Sequence, residues 1–146
     1  MELFFNWKEI KNKGRGLTFD DVLIVPAKSD VRSRKDPSLA TQLTKNKKVN
    51  LPIISANMDT VTEAEMALAM WQLGGVGILH RFMTIEDQIK NVTSLKSQNV
   101  EVISASIGVN DDFKERAKAL IQAGVNILTI DIAHGHSVQM LETMKW

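Results

Sequence analysis

From residue 51 to residue 146, short apolar runs alternate with longer amphipathic stretches, and this alternation limits the fold more than any other feature. The runs are "LPIISA" (51–56), "VGILH" (76–80), "VEVISASI" (100–107) and "VNILTIDI" (125–132). Each has the length of a buried strand. Between and after them come helical patterns over 62–75, 84–98, 110–124 and 137–146. Thr62, with Glu63 and Glu65 behind it, is the expected cap of the first helix and Gly74 its end; Thr84 is the expected cap of the second, and Gly124 ends the third. Strand–helix alternation at this spacing predicts a parallel sheet with crossover helices. Four such units occupy about 96 residues, whereas a closed eight-unit barrel needs roughly 200 or more. The pattern therefore predicts the first four units of a (β/α)8 barrel, a half-barrel, or a small open sheet over 51–146. Ahead of it, 1–50 reads as a polar arm (1–16), a short strand "LTFDDVLIVP" (17–26) and a long extended excursion (27–50).

Composition excludes several classes of function. The net charge is +1, too small for a broad field toward nucleic acid or anionic lipid. No apolar run approaches the ~20 residues of a membrane span. The start, "MELFFNWKEI", lacks a basic region followed by a long apolar core, so the expected location is the cytoplasm. The sequence contains no cysteine, which removes disulfides, thiolate metal sites and a cysteine nucleophile from this chain.

Parallel α/β folds bind ligands at the carboxyl ends of their strands. Here those ends carry Ser55–Asp59, His80–Arg81, Ser106–Gly108 and Asp131–His136. In "IDIAHGHS", Asp131, His134 and His136 fall close together, and three readings compete. With His80 they could form a zinc site. They could simply cap the next helix. The small residues Ala133, Gly135 and Ser137 also suit close backbone approach to a nucleotide or cofactor. Other features have plainer readings. "SANMDT" is a turn whose Asp59 and Thr60 bond their own backbone. The glycines of "GGVGILH" precede their strand and mark a helix-to-strand turn rather than a phosphate loop. Ser33 and Arg34 read as solvated, although arginine suits an added phosphate on a dinucleotide. Met66 and Met70 read as core.

Four segments in order, "GLTFDDVLIVPAKSDV", "LPIISANMDTVTEAEMALAM", "GGVGILHRFMTIEDQ" and "LTIDIAHGHS", resemble the first half of the IMP dehydrogenase/GMP reductase family, over about residues 16–146. The resemblance implies a (β/α)8 TIM barrel, usually tetrameric, that binds a purine nucleotide (GMP or IMP) beside a nicotinamide cofactor. It implies that Ala56 and Met58 lie next to the substrate. It implies that Asp131, with Ile132 and Ala133, accepts hydrogen bonds from the cofactor, so that no metal site is expected. Arg81 and the Ser33–Arg34 pair match cofactor-side positions. A monovalent cation belongs to the full-length family, at a site outside this chain.

Within the family, Asp131–Ile132–Ala133, "ANMDT", "HRF" and the Ser33–Arg34 pair lean toward the reductase, with NADPH as cofactor. So does the absence of room for a regulatory insertion between the second helix and the third strand. "GLTFDDVLIVPAKSDV" and "MDTVTEAEMA" look equally like dehydrogenases, which use NAD. Both chemistries begin with a cysteine thiolate attacking the purine. The chain has no cysteine and stops before the family's cysteine loop. The expectation is therefore a catalytically incomplete amino-terminal half, inactive alone. A non-enzymatic half-barrel that pairs with a second half is the competing class.

Overall fold

A computed structural model of the chain describes residues 18–110 and 112–146. The expected arm over 1–16, Leu17 and Asp111 lie outside the described residues. The chain divides into two compact units, Met1–Pro37 and Ser38–Trp146.

In the first unit, the expected strand over 17–26 does not form. Its described part holds a single 3-10 turn, Phe19–Asp21, closed by Thr18, whose amide and hydroxyl both donate to Asp21 Oδ2 (2.9 and 3.1 Å). An apolar run becomes a strand only where another strand satisfies its backbone, and none pairs with it among the described residues. Further on, Ser33 closes a second turn. Its amide donates to Asp36 Oδ2 (2.9 Å), and its hydroxyl accepts from the Lys35 amide (3.2 Å).

The second unit takes in the strand–helix part expected from residue 51 and adds a hairpin ahead of it. Strands β1 (Thr41–Thr44) and β2 (Lys47–Val49) pair antiparallel with an irregularity at Leu43. Then follow β3 (Ile54–Ser55), α1 (Ala64–Gln72), β4 (Val76–Leu79), α2 (Ile85–Ser97), β5 (Ser104–Ile107), α3 (Phe113–Ala123), β6 (Ile127–Ile130) and α4 (Val138–Lys145). The strands form one parallel sheet in the order β3-β4-β5-β6. The fold is thus mixed α/β with the expected strand–helix alternation in an open row of four.

Leu79, Ala105 and Ile107 of the sheet pack with Ala67, Val92, Leu95, Ala117 and Leu120 of the helices. A second cluster joins Val49 of β2 to Val76 and Val102, with Leu43, Trp71 and Ile127 against it. The hairpin therefore packs against residues at the amino-terminal ends of the strands. The opposite end, where the strands run out into loops, carries the residues singled out above.

The helix boundaries follow local chemistry. Thr84 caps α2 by accepting from the Asp87 amide (3.1 Å), and Ser137 caps α4 by accepting from the Met140 amide (3.2 Å). Gly124 ends α3 in the left-handed region at φ +114°, which glycine adopts without a Cβ penalty. Thr62 does not cap α1; the N-cap position falls to Glu63, with no side-chain bond.

Candidate functional site

Thr62 holds the loop that follows β3. It is fully buried, with its hydroxyl 2.6 Å from Ala56 O and 2.9 Å from Ser55 Oγ. A hydroxyl has one proton, and a carbonyl can only accept. Thr62 therefore donates to Ala56 O, and Ser55 donates to Thr62. The Thr62 carbonyl in turn accepts the His80 amide (3.3 Å). The loop "ANMD" is thus tied at its base to the end of β4, with Ala56 and Met58 exposed. At Thr60 the backbone enters the left-handed region (φ 62°). For a β-branched residue this conformation costs about 1–3 kcal/mol, and such strain clusters at ligand sites.

His80 is 1% exposed and is not part of the Asp131 cluster. Its Nδ1 accepts the Phe82 amide (3.1 Å), which leaves the proton on Nε2, facing Glu63 (3.3 Å) and Asp59 (3.8 Å). His134 and His136 are exposed, and His134 Nδ1 accepts the His136 amide (3.1 Å). The zinc reading needed these histidines together. Among the described residues no group of three or more His, Asp or Glu side chains is arranged to hold a metal.

Arg81 and Asp131, which sequence reasoning assigned separately, come together. Arg81 Nε donates to Asp131 Oδ2 at 2.8 Å, joining the ends of β4 and β6 across the end of β5. The guanidinium stands 4.9 Å from the Phe82 ring centre. It also lies over Gly108, where an added Cβ would sit 3.4–3.7 Å from it. Asp131 is fixed through its backbone too, since its amide donates to Ile107 O at 2.8 Å. The two side chains are 35% and 27% exposed, so the pair is oriented yet reachable. Among the described residues, Oδ1 of Asp131 takes no hydrogen bond, and it can accept from a ligand hydroxyl. Ile132 is half-buried and Ala133 exposed beside it. Ser33 and Arg34 belong to the first unit and are described within it alone.

Sequence reasoning missed the buried pair Gln88 and Arg116 below this edge. Arg116 lies near the start of α3, and no local signal marks a polar contact between residues 28 positions apart.

A parallel strand–helix domain with an oriented carboxylate, small residues and a strained loop at the carboxyl ends of its strands has the arrangement at which α/β domains bind their ligands. Comparison with known families matches residues 16–146 to the IMP dehydrogenase / GMP reductase domain. The chain belongs to that family. It is 38% identical over 177 aligned positions to inosine-5'-monophosphate dehydrogenase of Cryptosporidium parvum, covering 92% of this chain and 44% of that protein. Proteins of the same name from Bacillus subtilis (strain 168) and Nitrosopumilus maritimus (strain SCM1) are 53% and 48% identical over 96 and 97 residues, in each case 66% of this chain and 20% of the relative. The chain thus spans less than half the length of these curated relatives. All three carry the dehydrogenase name, whereas the strand-end motifs of this chain lean toward the reductase.

Proposed function

We propose that this chain is the amino-terminal portion of a purine-nucleotide oxidoreductase of the dehydrogenase branch, acting on IMP with NAD, and that it forms part of a TIM barrel. The observation that carries this reading is the Arg81–Asp131 pair at the strand edge of a domain whose relatives are named for IMP oxidation. In this reading Asp131 accepts hydrogen bonds from cofactor hydroxyls, and Arg81 holds its carboxylate in place. The "ANMD" loop, tied down through Thr62, offers Ala56 and Met58 to the purine nucleotide. NAD supplies the hydride acceptor, and the protein supplies orientation. The sequence has no cysteine, so the thiolate that the family's chemistry uses must come from other polypeptide. The chain alone is then inactive. Its open strand edges are closed by further strand–helix units or by a second copy.

The test is a titration of the labelled chain with NAD and with NADPH, followed by the amide signals of Gly108 and Asp131–Ala133, together with an assay for NADH formation from IMP. Selective shifts with NAD, lost in Asp131→Ala, and no turnover are expected. Selective binding of NADPH would transfer the chain to the reductase branch, and turnover by the chain alone would refute its incompleteness. One observation favours that second reading. Only six residues (98–103) join α2 to β5, so no domain is inserted there. The Cryptosporidium parvum relative, aligned over more positions than this chain has residues, carries extra residues within the matched region.

A further inference from the structure

Below the strand edge lies a polar group that this reading leaves unused. Gln88 on α2 is fully buried, and Arg116 on α3 is 6% exposed. Arg116 donates to Asp112 Oδ2 through Nε (2.9 Å) and Nη2 (2.6 Å), to Met83 O (3.1 Å), and through Nη1 to Gln88 Oε1 (2.9 Å). With its oxygen held by a cation, the Gln88 amide has one orientation. Its nitrogen donates to His80 O and to Ser106 O, both at 3.0 Å.

Those two acceptors have particular neighbours. His80 O belongs to the peptide group that joins His80 to Arg81. Ser106 O belongs to the peptide group leading into Ile107, and Ile107 O accepts the Asp131 amide. One buried amide therefore grips the peptide that carries Arg81 and the strand end that registers Asp131. A primary amide is the side chain that suits this place. It offers two N–H donors to two carbonyls and one acceptor to a guanidinium, and burial makes an unmet partner costly.

We propose that Gln88, oriented by Arg116, is a positioning residue: it sets the spacing of the β4 and β5 ends and through them the geometry of the Arg81–Asp131 pair. It does so from beneath the strand edge, hydrogen-bonded to neither Arg81 nor Asp131. Its consequence for cofactor binding rests on the function proposed above; the positioning itself does not.

The experiment reads hydrogen exchange of Arg81 Nε–H and of the Asp131 amide by NMR on the full chain, without ligand. Gln88→Met keeps the volume and removes all three amide bonds; exchange at both sites should rise about tenfold. The control is Leu95→Val, which loosens the same core far along α2 without touching the network. If Gln88→Met raises exchange at Arg81 and Asp131 no more than Leu95→Val does, Gln88 only packs helices and the proposal fails. Should Gln88→Met not fold, Arg116→Lys, which keeps the charge and loses the fork, is read by the same criterion. NAD titration of the same variants separates the two readings. Faster exchange with unchanged NAD affinity leaves the positioning intact and removes Asp131 from the cofactor site.

Discussion

Replacing Gly77 by alanine gives a worked test of how tightly α1 lies on the sheet. An added Cβ at Gly77 would stand 2.5 Å from Ala67 Cα and 2.8 Å from Ala67 Cβ. Carbon atoms rest about 3.5–4.0 Å apart, so α1 must retreat by about 1 Å. The obstacle is helix backbone and cannot swing aside. Overpacking of this kind costs about 1–3 kcal/mol, and a backbone obstacle places the effect in the upper part of that range. For a unit of roughly this size each kcal/mol lowers Tm by about 4–8 °C, so a fall of about 10 °C or more is expected. The same Cβ lies 3.2 Å from Ser55 Oγ, so the strain also reaches the hydroxyl pair beneath the "ANMD" loop. Urea unfolding followed by tryptophan fluorescence reads this directly, because Trp71 on α1 packs against both core clusters. Adding Ala67→Gly removes the 2.8 Å contact but not the 2.5 Å one, and itself costs about 1 kcal/mol of helix propensity. The double variant should therefore stay less stable than the natural chain. A loss below about 0.5 kcal/mol for Gly77→Ala, the range of neutral surface changes, would refute the close approach of α1 to β4.

Two further outcomes follow from single contacts. Thr62→Val keeps shape but strands the Ala56 carbonyl and the Ser55 hydroxyl. It should cost about 1–3 kcal/mol in denaturant unfolding and speed exchange at the Val61 amide, and a neutral result would break the assignment of Thr62 as the loop's anchor. At the start of α2, hydrogen bonds from Lys90 (2.7 Å) and Thr84 (2.8 Å) hold the Asp87 carboxyl below its ordinary 3.8, and Asp87 in turn raises Lys90 above 10.5. The Asp87 contribution to stability is present above the ordinary carboxylate value and is lost as pH falls through the lowered one. The Lys90 contribution is present below 10.5 and is lost as pH rises through the raised value. Asp87→Asn should flatten both limbs of a stability-against-pH curve, and unchanged limbs would show that the pair contributes nothing.

Apolar periodicity and caps act within a few residues, and these were the legible parts of the chain. The four strand–helix units, Thr84 as a cap and Gly124 as a stop stand where the sequence puts them. Features that depend on a distant partner were not legible. "LTFDDVLIVP" has a strand's composition but finds no ladder among the described residues. The hairpin at 41–49 hides in a basic, polar stretch in which Leu43 and Val49 join the second core cluster. Thr62 has the right residue type and position for a cap, yet burial against Ser55 and Ala56 claims its hydroxyl. At the site, Arg81 and Asp131 were legible one at a time through resemblance. Their pairing was not, since fifty positions separate them. The orientation of Gln88 depends on three other elements and leaves no local trace.

Among the described residues strand β6 has a partner on one side only, and it leads into Asp131. In the function proposed above, whatever pairs with its other side restricts the same backbone that the cofactor at Asp131 must find ordered. Edge pairing and ligand binding are therefore linked equilibria. If pairing tightens ligand binding by some factor, ligand binding tightens pairing by that same factor. The change in cofactor affinity when a strand is added at that edge would measure how much of the order at Asp131 depends on pairing.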